Sequence, residues 1–212
     1  FQETQMIEKV AHALGRNDET PNIELALELI RTKNSTGISE IVDGLNNHEQ
    51  QIANDCIKVL YEIGERQPSL ISNHVDDFLK LLGSKNNRLV WGAMTALAQI
   101  ASLKHQELFD NFDIIVKAYR NGSVITVDNS ISVFAALIKS GIKYEKKILP
   151  ILLNHLETCR PKEVAQHAER AFVCLSRKNA GLFKQILLKR YDTLTAARKK
   201  RIDKLLKTIN DG

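Results

Sequence analysis

The feature that most constrains this 212-residue chain is a set of apolar quartets recurring every 37 residues. Ile38, Ile41, Val42 and Leu45 form the first, and Val75, Phe78, Leu79 and Leu82 the second. Phe112, Ile115, Val116 and Tyr119 form the third, and Leu149, Leu152, Leu153 and Leu156 the fourth. Their offsets of zero, three, four and seven residues mark one face of an α-helix. A second helical stripe follows each quartet. Ala53, Cys56, Leu60 and Ile63 recur as Val90, Ala93, Leu97 and Ile100, then as Val127, Ser130, Phe134 and Leu137. One residue late come Ala165, Ala168, Phe172 and Leu175. Each unit therefore reads as a helix A, a short turn, a helix B and a longer link.

A single helix pair cannot bury both of its apolar stripes. Fully burying four large apolar side chains contributes roughly 6–12 kcal/mol before conformational entropy is subtracted, and stacking one unit on the next supplies that burial. The composition agrees: aromatic residues are only 6%, with 10 Gly and 4 Pro, which suits helices better than a β-sandwich. Turn and cap residues fall between the stripes. Asn73 precedes a helix with Asp76 and Asp77 in its first turn, Asn86 and Asn87 can cap the next, and Pro161 stands where a helix begins. Gly64, Gly83, Gly122 and Gly141 are expected near helix ends as left-handed terminators. The ends of the chain read as incomplete pairs. Residues 4–14 and 22–32 flank Pro21, Leu182, Phe183, Ile186 and Leu187 open a last helix A, and Ile202, Leu205, Leu206 and Ile209 form a narrow final stripe.

The B segments resemble HEAT repeats, with armadillo repeats as a near relative. Residues 89–101 (LVWGAMTALAQIA) match the family pattern best, and residues 52–64 (IANDCIKVLYEIG) share its Ile-Gly ending. The position after the first apolar residue of helix B, where the family often has an Arg, holds Ala53, Val90 and Val127, so no Asp/Arg ladder is expected. The resemblance implies an all-α fold, a right-handed α-α superhelix (solenoid) of about five to six helix pairs. A capping pair over 1–34, four regular repeats over 35–178 and a basic capping pair over 179–212 would make one continuous stack. It implies a style of binding and no particular chemistry.

In such stacks the B helices line the concave side, the surface that the resemblance assigns to partners. Positions outside the core stripe give one ladder of Asn54, Trp91, Asp128 and Gln166, and another of Lys58, Thr95, Ser132 and Arg170. Glu62, Gln99 and Arg177 fall on the same side. Trp91, the sole Trp, is the natural anchor, although a large aromatic residue packs against a neighbouring helix more often than it stands free. Trp91 and Asp128 hold equivalent positions, a pairing similar to the cleft of HEAT-like DNA glycosylases, but such a cleft needs further aromatics that the ladders do not supply. The expected partner is another protein or peptide, a helix or extended segment docked on a preformed surface.

Charge points to a second surface. Residues 177–212 hold 11 Lys/Arg against 3 Asp/Glu, whereas residues 1–176 hold 19 against 22. Arg198, Lys199, Lys200, Arg201, Lys204 and Lys207 could contact phosphates, which makes nucleic acid the alternative partner. A third reading makes the chain a piece of a larger helical scaffold. No oligomeric state is indicated. His155 and Cys159 stand four apart on one helix face, but with His167 and Cys174 their spacing matches no common zinc signature, so no metal or other cofactor is expected. Glycine-rich phosphate loops, paired metal ligands and Ser/His/Asp arrangements do not occur, and no catalytic role is expected. No apolar run reaches the ~18–20 residues that span a bilayer, and no basic-then-apolar leader is present. With three cysteines (Cys56, Cys159 and Cys174) in helical segments, buried free thiols and a cytoplasmic setting are expected.

Overall fold

The structure is a computed structural model that describes residues 5–211; residues 1–4, the start of the expected N-terminal capping pair, and residue 212 lie outside it. Among the described residues there are twelve α-helices and no strand. They are α1 (Thr20–Thr32), α2 (Ser35–Asp43), α3 (Gln50–Arg66), α4 (Val75–Leu81), α5 (Asn87–Ile100), α6 (His105–Asp110), α7 (Phe112–Asn121), α8 (Val124–Ser140), α9 (Ile142–Thr158), α10 (Pro161–Ala171), α11 (Ala180–Arg190) and α12 (Ala196–Asp211). The chain divides into two compact units, Phe1–Ser130 and Ile131–Gly212, with the division inside α8. No described helix is long and apolar enough to cross a membrane.

In the first unit the A helices α2, α4 and α7 follow the 37-residue register. Their quartets are buried, apart from the half-buried Tyr119. The B helices pack side by side, α3 between α1 and α5, while α2 and α4 lie on α3 and α5. At the N-terminus, where a helix was expected over residues 4–14, there is only a 3-10 turn over Met6–Lys9. The buried Asn22 holds that segment to α3: it accepts from the Ala11 N–H at 2.8 Å and donates to Asp55 Oδ1 at 2.8 Å.

The helix ends depart from the sequence reading in informative ways. Asn86 caps α5 by accepting from the Arg88 N–H at 3.0 Å, and Pro161 opens α10. Asn73, however, sits in a 3-10 turn (Ser72–His74) before α4 and caps nothing. None of the four glycines expected as left-handed terminators adopts that conformation, Gly141 at φ 165° being extended; Lys33 at φ 50° terminates α1 in it instead. Asn34 then caps α2 through the Gly37 N–H at 2.8 Å. Gly64 lies within α3 rather than at its end. Residues expected as a link before the third helix A form α6, because Leu108 finds a fully buried place there.

In the second unit the fourth quartet is rotated. Ile148, Leu152 and Leu156 are fully buried, whereas Leu149 and Leu153 are half-buried, and Tyr144 and His155 complete the inward face of α9. Helix α9 accommodates Pro150 on its exposed side, where the missing N–H is least costly. Helix α11 buries Phe183 and Leu187, and α12 buries Ile202.

Close approach of α3 and α5 depends on glycine. An ideal Cβ on Gly92 would lie 2.7 Å from Cγ1 and 3.1 Å from Cγ2 of Ile57, a fully buried β-branched side chain with little freedom to move. Gly92→Ala is therefore expected to destabilise the fold. Overpacking costs about 1–3 kcal/mol and offsets the ~1 kcal/mol that alanine gains from helix propensity. Gly181, in α11 with no atom within 4 Å of its would-be Cβ, gives the opposite sign. Gly181→Ala should stabilise by about 0.4–1 kcal/mol. Urea unfolding of both variants checks the pair.

Candidate binding surface

A closed ring of interactions runs across three helices of the first unit. Glu19, the residue before α1, places one carboxylate oxygen 2.6 Å from Arg88 of α5 and the other 3.1 Å from Lys58 of α3. The Arg88 guanidinium lies over the Trp91 ring at 5.2 Å, and Trp91 meets the Tyr61 ring at 5.7 Å between centroids. The Lys58 ammonium lies over Tyr61 at 5.0 Å and completes the circuit. Such cation–aromatic contacts contribute roughly 0.5–2 kcal/mol, with the larger values at desolvated sites.

Glu62 extends the ring along α3. Its carboxylate takes Lys58 at 2.6 Å and Arg66 at 2.5 Å. Lys58 and Glu62 are buried, at 8% and 7% exposure, although the sequence reading assigned them to the outer ladder. Burial pushes the Glu62 carboxyl up, but hydrogen bonds from Lys58 and Arg66 outweigh it and hold the group below its ordinary range. Glu19 behaves alike: burial raises it, and the bonds from Arg88 and Lys58 bring it down. Burial works against the Lys58 ammonium, yet Glu62 and Glu19 leave it above its ordinary value.

Beside the ring runs a row of amides and hydroxyls. Asn54 accepts from Asn86 Nδ2 at 2.8 Å, Gln99 donates to the Tyr61 carbonyl at 3.0 Å, and Asn129 donates to Thr95 Oγ1 at 3.0 Å. Thr95 in turn donates to the Trp91 carbonyl at 2.8 Å. Asp128, next to Asn129 on α8, is half-buried. Two buried polar atoms, Arg88 Nε and Gln99 Oε1, have no hydrogen-bond partner among the described residues. Gln99 Oε1 is wedged over Gly64, where an added Cβ would come within 2.1 Å of it. Trp91 itself is half-buried, its ring held between Tyr61 and Arg88. Tyr61 and Arg88 were not singled out in the sequence.

In the second unit Arg170 donates to Ser132 Oγ at 2.9 Å, Gln166 is half-buried and Arg177 is exposed. The basic segment of α12 is only partly available to a partner. Arg201 forms a two-pronged pair with Glu169, Lys199 lies over the Tyr191 ring at 4.9 Å, and Arg198 donates to Thr195 at 3.4 Å. Lys200, Lys204 and Lys207 are exposed. Of the cysteines, Cys56 and Cys174 are buried free thiols, whereas Cys159 is half-buried. His155, Cys159 and His167 converge, their donor atoms all within 4.8 Å of one another. Cys174 stays apart, its thiol 3.1 Å from the Ala171 carbonyl.

This helix arrangement is found in solved helical-repeat proteins. A computationally designed armadillo repeat protein for modular peptide recognition superposes with a TM-score of 0.67 at 16% identity, over 96% of this chain and 98% of that one. A designed armadillo repeat protein in complex with the peptide (KR)4 gives 0.65 at 16% identity, over 97% and 98%. Kap121p bound to Pho4p gives 0.67 at 12% identity, with 94% of this chain matched to 22% of that one. No sequence-family model matches the chain, and no curated protein matches it in sequence. The chain has the HEAT/armadillo-like helical-repeat fold.

The charge ring sets a pH dependence. Glu19 and Glu62 are held below their ordinary value of 4.5, so their stabilising contribution is present above that value and is lost as pH falls through the lower folded values. Lys58 is held above its ordinary 10.5, so its contribution is present below 10.5 and is lost only as pH rises past the folded value. Lys58→Met removes the cation that bridges two carboxylates. It should cost about 1–3 kcal/mol at neutral pH and flatten the acid limb of the stability profile, as measured by urea unfolding between pH 3 and 8 on the scale of those ~4–4.5 carboxyl values.

Proposed function

We propose that this chain is a non-catalytic scaffold that binds an extended peptide segment of another protein across α3, α5 and the first half of α8. The observation that carries this reading is the half-exposed Trp91, immobilised between Tyr61 and Arg88 at the centre of that surface. An aromatic ring already fixed in place gives contact area with little further loss of conformational entropy on binding. Polar groups flank it. Among the described residues Asn54 uses only its carbonyl oxygen and Asn129 only its amide hydrogens, which leaves a donor group on α3 and an acceptor on α8. An extended peptide offers backbone carbonyls and N–H groups all along its length to meet both. Structures of like fold that hold a (KR)4 peptide or Pho4p support the reading by analogy of architecture.

Nucleic acid is the lesser reading, because Arg201 is engaged by Glu169 and the remaining exposed lysines of α12 are few. Since Trp91 is the sole tryptophan, its emission reports on this surface alone. Titration of an extended-peptide library should yield ligands that shift Trp91 emission. Trp91→Phe should weaken them severalfold, and Trp91→Ala, read by calorimetry, at least about tenfold, a hot-spot loss of ~1.4 kcal/mol or more. Lys200→Glu with Lys204→Glu should change little. Unchanged affinity in Trp91→Ala would remove the anchor from the proposal. Salt-sensitive oligonucleotide binding abolished by the α12 pair would replace it with the nucleic-acid reading.

A further inference from the structure

The second unit contains a cluster that the peptide-binding reading does not use. His155 and Cys159 occupy the last turn of α9 and its C-cap, and His167 faces them from α10. Nε2 of His155 lies 2.8 Å from Nδ1 of His167, and one donor atom from each ring and the Cys159 sulfur all lie within 4.8 Å of one another. His167 is fully buried and His155 nearly so, while Cys159 is half-buried. A tetrahedral ion with metal–nitrogen bonds near 2.0–2.1 Å and a metal–sulfur bond near 2.3 Å holds its donors roughly 3.3–3.6 Å apart. The two ring nitrogens are inside that spacing and would part to admit the ion, and the sulfur would close on it.

The surroundings hold the three donors in place. Arg190, itself buried, donates to the carbonyls of Leu156 at 2.9 Å, Glu157 at 2.6 Å and Cys159 at 2.7 Å, which fixes the frayed end of α9. The Cys159 N–H bonds the His155 carbonyl at 2.8 Å. Pro161 starts α10 two residues later, so the turn between the ligands is short and stiff. We propose that His155, Cys159 and His167 form a binding site for a borderline d10 cation, Zn2+, with solvent as the fourth ligand. Imidazole and thiolate are the donors that such an ion prefers. As the ion binds, the ring that donates in the pair takes the tautomer protonated on its other nitrogen, so both rings ligate as neutral imidazoles, and the proton of the thiol is released to solvent. The half-exposed Cys159 marks the side from which the ion enters.

The test uses the whole chain stripped of metal under a non-thiol reductant. Zn2+ titrated against a chromogenic chelator should bind one ion per chain. Co2+ should give the intense visible bands of tetrahedral coordination together with a thiolate charge-transfer band. Cys159→Ala, at a half-exposed position that the fold tolerates, should abolish the charge-transfer band and weaken Zn2+ at least tenfold. Cys174→Ala should leave both unchanged. Saturating Zn2+ should raise the thermal midpoint of the wild type, but not of His167→Gln, for which circular dichroism establishes folding. Absence of stoichiometric Zn2+ binding, a cobalt spectrum without the thiolate band, Zn2+ bound equally well by Cys159→Ala, or a response to Cu+ alone would each overturn the proposal, leaving the two histidines as a hydrogen-bonded core pair. None of these outcomes bears on the Trp91 surface.

Discussion

Close packing of α3 against α5 governs the first unit. Gly92 leaves no space for a methyl group against Ile57, and Gly64 leaves none against Gln99 or Ile71. Larger residues at either position would hold the two helices apart. At the observed separation, side chains from different B helices can meet directly: Tyr61 reaches Trp91, and Gln99 reaches the Tyr61 carbonyl. Glu19 can bridge Arg88 and Lys58 only because α1 and α5 both lie against α3. The polar ring thus rests on apolar packing beneath it. The two are not independent, since a shift of α5 would break the aromatic contact and both arms of the Glu19 bridge together.

The ring also settles how buried charge is tolerated here. Lys58 and Glu62 are largely out of water, and an isolated buried charge would cost several kcal/mol. Each has more than one partner: Lys58 has two carboxylates and an aromatic face, and Glu62 has two cations. The arrangement takes the place of the Asp/Arg ladder that helical repeats of this type often carry. It is concentrated around one pair of helices rather than spread along the stack, and the amide and hydroxyl contacts of Asn54, Gln99 and Asn129 continue it at lower charge. Side chains held in this way lose little freedom when a ligand arrives, and rigid repeat surfaces depend on that for recognition.

The 37-residue period made the helix pairs legible because apolar burial repeats with the backbone. It identifies equivalent positions, and equivalent positions are not the ones that touch. Hydrogen bonds between neighbouring B helices join residues separated by 32, 33, 34 and 38 positions, none of them the repeat length itself. Trp91 was therefore aligned with Asn54 and Asp128, whereas its ring meets Tyr61. Tyr61 stands between the core stripe and the outer ladder and belonged to neither pattern. Lys58 and Glu62 were assigned to the outside by helical angle alone, because angle does not register a neighbour such as Glu19 arriving from another helix. Gly64 escaped for a related reason: close packing of a side chain from a second helix, which also selects glycine, leaves no local trace, whereas Gly122 and Gly141 do stand at helix ends, with extended rather than left-handed backbone.

The rotated face of α9 shows what determines inward direction when apolar residues are abundant. Leu149 and Leu153 continue the period, yet Ile148 is fully buried and His155 nearly so. An apolar side chain can sit half-exposed at modest cost, whereas a buried imidazole nitrogen without a partner costs about 1–3 kcal/mol. The contact between His155 and His167 satisfies two such nitrogens at once, and it holds only if α9 turns His155 inward. Arg190 acts in the same direction by binding the carbonyls at the end of α9. These polar requirements come from α10 and α11, beyond the reach of any periodicity within α9. They fix the rotation of α9 and in doing so bring Cys159 beside the two rings.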